Sequence, residues 1–303
     1  MFHCQRILVP LDGSELAERA LPSALAIARA MAGQGRCVVH LLRVVPPLFL
    51  ALDPPLYAET LSLSEAEAGD YLALTGAKWS EAGVLVRTAV TSGPAAEEIL
   101  AYAQKQDIDL LVMSSHGRSG FGRWVYGSVT EKVLRQACCA SLIIRPGEVP
   151  PPVTFRKMLV CLDGSPLAEQ VLQPVLTLAQ AMSAAVCLLR VVPPALLAVE
   201  TYAMAQLLST VDEMERDTAD AYLRQLLVSL PVADLPISIS MQTVMGPAAE
   251  AILDTAVSQN ADLIAMCSHG RSGIGRWVYG SVTEKVLRGA TCATFIIRGS
   301  PNG

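Results

Sequence analysis

The stretch Ser114–Arg145 reads SSHGRSGFGRWVYGSVTEKVLRQACCASLIIR, and Cys267–Arg298 reads CSHGRSGIGRWVYGSVTEKVLRGATCATFIIR. From the Ser-His-Gly onward, 26 of 31 positions are identical in the two copies. Solenoid repeats have periods of about 20 to 50 residues, whereas these copies begin 153 positions apart, at 114 and 267. Each copy therefore belongs to a whole domain, and the chain is a tandem duplication.

Within each copy, the order of residue types predicts a site for an anion. Short apolar runs, DLLVM and DLIAM, end at Met113 and Met266 and have the composition of buried strands. A loop rich in glycine and arginine follows, and then SVTEKVLR, which is typical of a helix start. Glycines let the backbone approach a phosphate, and the first-turn N–H groups of the helix point at it. We predict Ser128 and Ser281 as N-caps. The alternative, that Gly127-Ser128 is only a capped turn, stays open at this point.

Length and composition favour two globular domains. At about 100 to 200 residues per domain, 303 residues give two, and a proline cluster at 146–152 predicts domains at 1–148 and 153–303. The hydrophobic content of 52% suits buried parallel strands. No apolar stretch is long enough for a membrane span, and the start, MFHCQRILVPLDGS, carries no secretory signal.

The cysteine pattern and the net charge indicate in which compartment the protein works and which partners it does not bind. The eight cysteines are scattered apart from Cys138-Cys139, which we expect to be buried, and no C-x-x-C pair is present. This pattern favours a reducing cytosol over a disulfide framework or a zinc site. A net charge of −5 argues against a nucleic-acid partner. We therefore expect a cytoplasmic protein that binds neither nucleic acid nor membrane.

Strands and helices are predicted to alternate along each half. In the first half, strands are expected at 6–11, 37–45, 84–90, 109–113 and 141–145. Helices are expected from Ser14, at about 62–81, after Gly93-Pro94 and from Ser128, and residues 48–61 are predicted to be a loop. The second half repeats the plan with MLVCLDGS, LLRVVPP and GPAAEAIL, but with a longer helix after its second strand.

The alternation predicts an α/β fold with two doubly wound, Rossmann-like open sheets of about five parallel strands each. Ligands of such sheets bind beyond the carboxyl ends of the strands, where the strand order reverses. Because Asp12, Val44 and Ser114 all fall at predicted carboxyl ends, we expect them to converge on one crevice. The last strands, SLIIR and TFIIR, are expected at sheet edges that pair with each other, making the duplication an internal pseudo-dimer.

Several motifs resemble one family. The first strand ends in V-P-x-D, the second ends near R-V-V-P, and an A-D-L-I-x-M-x-S-H-G-R run follows later. The most specific motif is G-x2-G-x9-G-[ST], matched by Gly117 with Gly127-Ser128 and by Gly270 with Gly280-Ser281. With these features the chain resembles the tandem, two-domain members of the universal stress protein family over both halves.

The resemblance implies how an adenine nucleotide, ATP, would be bound. Asp12 and Asp163 would approach the ribose, and the backbone of Val44 and Val191 would meet the adenine edge. The glycine loops would wrap the phosphates, and the Gly-Ser pairs would hold the terminal phosphates. Mg2+ or Mn2+ would be held mainly by the phosphates, with no metal site of protein side chains. The full implied set is Pro10, Leu11, Asp12, Val44, Met113, Ser114, His116, Gly117, Arg118, Gly127, Ser128, Val129 and Thr130, with Leu162, Asp163, Val191, Met266, Cys267, His269, Gly270, Arg271, Gly280, Ser281, Val282 and Thr283.

Three positions depart from the family pattern. The first glycine of the signature is Ser114 in one half and Cys267 in the other, and the proline of V-P-x-D is Cys161 in the second half. A Cβ at the first position would crowd the ribose or a phosphate. With fewer departures, the first half is the better candidate for binding.

The sequence is compatible with three functions. The leading one is an ATP-binding stress-response protein that acts as a nucleotide-dependent sensor or regulator, because no residue is placed as a general base. The second is a protein-interaction module with degenerate nucleotide sites, in which segments 46–61 and 193–215 carry the function. The third is an ATP-consuming enzyme or slow ATPase, although no G-x4-G-K-[ST] loop or G-x-S-x-G elbow is present. A homodimer of tandem chains and an unidentified protein partner are further expectations.

Overall fold

The structure is a computed structural model that describes residues 4–32, 37–47, 53–80, 84–115, 127–145, 154–194, 202–230, 236–268 and 280–299, with only the backbone described at 202–205. The chain divides into two units, Met1–Thr154 and Phe155–Gly303. Each is described by itself below.

The first unit alternates strands with helices. In chain order its elements are β1 (Arg6–Pro10), α1 (Glu15–Glu18), α2 (Leu21–Met31), β2 (Val38–Val45), α3 (Pro54–Ser80), β3 (Leu85–Ser92), α4 (Ala95–Lys105), β4 (Leu110–Ser114), α5 (Ser128–Gln136) and β5 (Ala140–Ile144).

The second unit repeats this order. Its elements are β6 (Lys157–Leu162), α6 (Pro166–Glu169), α7 (Leu172–Met182), β7 (Ala185–Val192), α8 (Tyr202–Ser229), β8 (Ile239–Met245), α9 (Ala248–Ser258), β9 (Leu263–Cys267), α10 (Ser281–Gly289) and β10 (Ala293–Ile297).

Each unit contains a parallel sheet whose strand order reverses once. The order is β3-β2-β1-β4-β5 in the first unit and β8-β7-β6-β9-β10 in the second. Strand β1 pairs in parallel with β2, from Arg6 opposite Val38, and with β4, from Ile7 opposite Leu110. The reversal lies between β1 and β4, and between β6 and β9. The predicted doubly wound α/β fold is confirmed, and the edge-strand pairing between the halves stays a prediction.

The central strands form the core of each sheet because they are apolar on both faces. Ile7, Leu8 and Val9 of β1 and Leu110 and Leu111 of β4 are fully buried. Such continuous apolar runs are what a parallel sheet covered by helices on both faces requires.

The first predicted helix is two helices. Ser14 caps α1 as expected, by accepting a hydrogen bond from the Ala17 N–H, but α1 ends at Glu18 and α2 begins at Leu21. Pro22 has no N–H to donate to the carbonyl four residues earlier, so a continuous helix would lose that hydrogen bond. The second unit has the same break, with Pro174 in the first turn of α7.

The prediction of a loop over 48–61 is wrong from residue 54 onward, where α3 begins. Pro54 and Pro55 are in its first turn, where a helix has no acceptor for an N–H and tolerates proline. Residues 48–52 lie outside the described residues. The helix of the second half is longer, as expected, but only by one residue, with 28 residues in α8 and 27 in α3.

None of the eight cysteines forms a disulfide, and five of them are buried. The expectation that Cys138-Cys139 is buried is wrong for Cys138, which is exposed, while Cys139 is half-buried. Burial is the main reason why the pKa of the Cys139 thiol is raised to about 12. No helix among the described residues is long and apolar enough to cross a membrane.

Candidate functional site

A crevice opens at the carboxyl ends of β1, β2 and β4 in the first unit, where the strand order reverses. Its cavity has a volume of about 270 Å³. The lining residues come from strand ends, from the start of α5 and from α1 and α4. They are Pro10, Leu11, Asp12, Ala17, Leu42, Val44, Ala95, Ile99, Met113, Ser114, Gly127, Ser128, Val129 and Thr130.

The turn after β1 holds a carboxylate at the rim of this crevice. Oδ1 of Asp12 accepts hydrogen bonds from the Ser14 N–H at 3.0 Å and from the Ser14 hydroxyl at 2.6 Å. The Ser14 hydroxyl oxygen in turn accepts the Ala17 N–H at 3.1 Å. Gly13 permits the turn because its φ is +82°, where an L side chain is strained. The carboxylate is therefore fixed by the same serine that caps α1.

Behind this turn lies a cluster that sequence reasoning missed. The guanidinium of Arg43 lies 4.9 Å from the centre of the Tyr71 ring, and the Tyr71 hydroxyl donates to Glu18 Oε1 at 2.7 Å. Burial, followed by the hydrogen bond to Glu18, raises the pKa of Tyr71. In the second unit the Tyr222 hydroxyl donates to Glu169 in the same way, at 2.9 Å. The cluster joins α3 to α1 below the carboxylate turn.

The start of α5 forms the opposite wall. Gly127 donates its N–H to the Ser115 carbonyl at 3.1 Å and accepts the Glu131 N–H at 3.0 Å. Gly127 is thus the N-cap, and the prediction of Ser128 as N-cap is wrong because Ser128 is already the first helical residue. The same correction holds for Ser281, since Gly280 caps α10.

With a glycine as N-cap, no side chain caps this helix. The N–H groups of Ser128, Val129 and Thr130 belong to the first turn, where no intrahelical acceptor exists. All three residues line the crevice. The positive end of the helix dipole therefore faces the cavity, which is the arrangement that binds anions.

Neither the backbone nor the packing of the described residues requires glycine at 127. Its φ of −56° and ψ of 140° suit any L residue. Among the described residues, a Cβ built there would meet only the Ser115 carbonyl oxygen, at an ordinary 3.8 Å. Gly280 repeats both properties, with φ −54°, ψ 143° and 3.8 Å to the Ser268 oxygen. Both glycines line a crevice next to the first turn of the following helix.

The floor of the crevice is apolar. Leu42, Val44 and Ile99 lie along it, and Leu42 and Ile99 were not predicted. Side-chain periodicity could have predicted both residues. Leu42 is two residues before Val44 and therefore lies on the same face of β2, and Ile99 lies one helical turn after the Gly-Pro start of α4. The floor is an apolar surface against which a flat ring of a ligand can pack.

Ser114 lies at the end of β4, between floor and helix. Its carbonyl accepts the Thr130 hydroxyl at 3.3 Å, which ties the strand end to α5. The Ser114 hydroxyl is buried and has no hydrogen-bond partner among the described residues. A buried hydroxyl without a partner is unfavourable, so its side chain adds volume here without strengthening the described fold.

The second unit has a matching crevice of about 250 Å³. Its lining consists of Cys161, Leu162, Asp163, Ala168, Leu189, Val191, Ala248, Ile252, Met266, Cys267, Ser268, Gly280, Ser281, Val282 and Thr283. Asp163 repeats the carboxylate turn, with Oδ1 accepting from the Ser165 N–H at 2.9 Å and hydroxyl at 2.6 Å. Burial, then the nearby thiols of Cys187 and Cys292, raises the pKa of Cys161.

The structure thus brings together most of the predicted set. Ten predicted residues line the first crevice and nine line the second, on separate strands and helices. The predicted residues His116, Gly117, Arg118, His269, Gly270 and Arg271 lie outside the described residues. Across the described ranges, no group of three His, Cys, Asp or Glu side chains could hold a metal ion.

Comparison with known proteins places the chain in one family. It matches the universal stress protein family twice, over residues 3–145 and 154–298. A universal stress protein of Methanocaldococcus jannaschii is 30% identical over 143 residues, covering 46% of this chain and 82% of the relative. A universal stress protein of Thermus aquaticus is 36% identical over 143 residues, covering 46% of this chain and 97% of the relative. The chain belongs to the universal stress protein family and contains its domain twice, as the resemblance predicted.

Solved structures agree with the fold. The crystal structure of a universal stress protein from Archaeoglobus fulgidus is similar over 98% of this chain and 99% of its own, with a TM-score of 0.70 and 21% identity. A functionally unknown protein from Pseudomonas aeruginosa is similar over 98% of this chain and 93% of its own, with a TM-score of 0.65 and 18% identity. The similarity to these two structures lies in the fold.

Proposed function

We propose that this chain binds adenine nucleotide, ATP above all, in the crevices of both units. It acts as a nucleotide-dependent sensor or regulator in a stress response and not as an efficient enzyme. The observation that carries the proposal is a helix N-terminus without a side-chain cap, preceded by a glycine that the described residues do not require. This arrangement occurs in both units, and each time an aspartate held by a serine lines the same crevice.

The crevice divides into a polar and an apolar end that suit the two ends of a nucleotide. At the polar end, the N–H groups and hydroxyl of Ser128 and its neighbours would bind the phosphates, assisted by the helix dipole. At the apolar end, Leu42, Val44 and Ile99 would contact the base. Asp12 also lines the crevice, and a ribose hydroxyl would donate to its carboxylate.

A divalent cation, Mg2+ or Mn2+, would arrive with the nucleotide. The described lining residues of each crevice include one carboxylate, Asp12 or Asp163, and its Oδ1 already accepts two hydrogen bonds from serine. Mg2+ commonly uses one or two carboxylates together with substrate phosphates. The cation would therefore be held mainly by phosphate oxygens, and its chemistry would be to neutralise their charge.

The described lining favours binding over catalysis. A general base for water must lie within hydrogen-bond reach of it and have a suitable pKa. Of the described lining residues only the two aspartates are acidic or basic, and each is held toward its own serine. Turnover is therefore expected to be slow. A steady-state rate near the enzyme median of about 10 s⁻¹ would overturn the assignment as a regulator.

The first experiment is to denature freshly purified protein and quantify the released nucleotide per chain by anion-exchange chromatography. Two equivalents would support working crevices in both units, and one would support an asymmetric protein. If none is released, ATP with Mg2+ is added at about 100 times Kd and unfolding is measured, where linkage requires about 2.7 kcal/mol of stabilisation. Absence of that shift, with GTP as the matched control, would overturn the proposal.

A second candidate function rests on the surface of α8. Leu207, Val211 and Met214 are spaced as neighbours on one helix face, and they are 61%, 37% and 64% exposed. Exposed apolar stripes are typical of interaction surfaces, here for a second copy of the chain. A Leu207→Glu, Met214→Glu variant that converts a dimer to a monomer in sedimentation would support this candidate, and an unchanged mass would reject it.

A further inference from the structure

The amino ends of β1 and β2 bring two cysteines together in the first unit. Cys4 comes two residues before β1 and Cys37 one residue before β2. Both are free thiols, 1% and 7% exposed. They lie at the end of the sheet opposite the crevice, so they are no part of the site described above.

Backbone contacts hold both cysteines in place. Arg6 and Val38 are register partners, and the Val38 N–H donates to the Gln5 carbonyl at 2.8 Å. Asp109 Oδ2 accepts the N–H groups of Gln5 and Arg6 at 2.8 and 2.9 Å. Gln5 and Val38, which follow Cys4 and Cys37 in the sequence, are therefore held in place by backbone hydrogen bonds. Neighbouring strands are about 4.8 Å apart, a spacing at which the Cα–Cα separation that a disulfide needs is within reach.

The two thiols are also in contact with each other. A side-chain hydrogen bond joins the thiols of Cys4 and Cys37. This bond lowers the pKa of Cys37 and, together with burial, raises the pKa of Cys4. Of the two, Cys37 is therefore the one that more easily becomes a thiolate, which is the nucleophilic form.

The second unit keeps the frame and lacks the thiols. Asp262 accepts the N–H groups of Arg156 and Lys157 at 2.7 and 3.1 Å, as Asp109 does in the first unit. Lys157 pairs with Ala185, as Arg6 pairs with Val38. The positions that match Cys4 and Cys37 are Phe155 and Ala184. The sulfur pair is thus an addition to a frame that folds without it.

We infer that Cys4 and Cys37 form a site of reversible oxidative modification, in which a peroxide converts the two thiols into an intramolecular disulfide. The Cys37 thiolate attacks one peroxide oxygen, the O–O bond breaks, and Cys37 becomes a sulfenic acid. The Cys4 sulfur then attacks the Cys37 sulfur and water leaves. In sum, two thiols and one hydrogen peroxide give one disulfide and two water molecules, and a thiol reductant reverses the change. This inference does not depend on nucleotide binding.

The test uses the full chain with Cys138 and Cys139 replaced by serine, so that the exposed thiol cannot cross-link chains. After treatment with hydrogen peroxide, remaining thiols are alkylated and the protein is digested with trypsin. Tryptic peptides 1–6 and 37–43 are expected as one linked species, lighter than their sum by two hydrogen atoms and separated by reductant. Complete recovery of both peptides in alkylated form would overturn the inference.

Single variants identify the order of the two steps. In Cys4→Ser, the Cys37 sulfenic acid persists and is trapped by dimedone, whereas Cys37→Ser leaves Cys4 unlabelled. Labelling of Cys37 is expected to be at least about tenfold faster than that of Cys187, a buried thiol of the second unit. Equal labelling rates of Cys37 and Cys187 would contradict the inference that the contact with Cys4 makes Cys37 more reactive. Alanine replacements, checked by circular dichroism, repeat the test should serine disturb the fold.

Discussion

Replacing Gly127 with alanine separates what the fold needs from what a ligand needs. The change adds one methyl group at the N-cap of α5. Since φ is −56° and the new Cβ would be 3.8 Å from the Ser115 oxygen, the methyl group clashes with none of the described residues. Alanine is a poorer N-cap than glycine, but it gains about 0.4–1 kcal/mol by restricting the unfolded chain. We expect the free energy of unfolding to change by less than about 1 kcal/mol.

Nucleotide binding should respond very differently. The methyl group would occupy the space in front of the Ser128 N–H, through which a phosphate oxygen must approach. Loss of one hydrogen bond to a charged group costs about 1.5–3 kcal/mol, so we expect Kd for ATP to rise about 10- to 100-fold. Isothermal titration calorimetry with Mg2+ and ATP should show one strong site fewer in Gly127→Ala, and none in a double variant with Gly280→Ala.

Gly13→Ala is the matched control, because here the fold does need glycine. Its φ is +82°, and a Cβ would lie 2.2 Å from Nη1 of Arg43. The left-handed conformation alone costs about 1–2 kcal/mol for alanine, and Arg43 would have to move. We therefore expect a clear loss of stability. If Gly127→Ala is as destabilised as Gly13→Ala, or if the double variant binds ATP like the unmodified chain, the reasoning is refuted.

Three further predictions concern single side chains. Cys267→Gly should raise the ATP affinity of the second crevice about tenfold and Ser114→Gly that of the first by less; unchanged titrations would show that neither side chain crowds the ligand. Burial, then the charges of Arg87 and Arg6, lowers the pKa of His40. Below pH about 6.5 the unfolded chain therefore binds a proton that the folded chain does not, and stability decreases as the pH is lowered. His40→Gln should reduce the change in denaturation midpoint between pH 7.5 and pH 5, and an unchanged pH dependence would contradict this. Tyr71→Phe should cost about 1.5 kcal/mol by removing the hydrogen bond to Glu18, and a denaturation midpoint equal to that of the unmodified chain would argue against it.

The sequence allowed the sheet and its crevice to be predicted because both follow from local patterns. Apolar runs ending in Asp12, Val44 and Ser114 marked strand ends, and the parallel topology then required these ends to meet. The N-cap role of Ser14 could also be predicted, because a serine directly before a helical pattern commonly accepts a hydrogen bond from an N–H group of the first turn. These features depend on spacing within a few residues.

What could not be predicted depends on contacts between distant segments. The Cys4–Cys37 contact and the Arg43–Tyr71–Glu18 cluster join elements whose side-chain directions only the folded chain fixes. The start of α3 was missed for a different reason, since prolines mark loops and first helical turns equally well. The N-cap was assigned to Ser128 and not to Gly127, because serine is a more common N-cap residue than glycine.

The two crevices differ in a way that bears on their function. Of the fourteen residues that line the first crevice, twelve have the same residue type at the matching position in the second, including the whole helix start. The two exceptions, Pro10 opposite Cys161 and Ser114 opposite Cys267, both lie at strand ends. The described residues place no constraint on the glycine N-cap of the second crevice, because a Cβ there would lie at an ordinary distance from the Ser268 oxygen. The shared glycine N-cap beside changed strand ends supports the proposal that both crevices bind a phosphate, and the proposal then predicts that they differ in how tightly they bind the nucleoside.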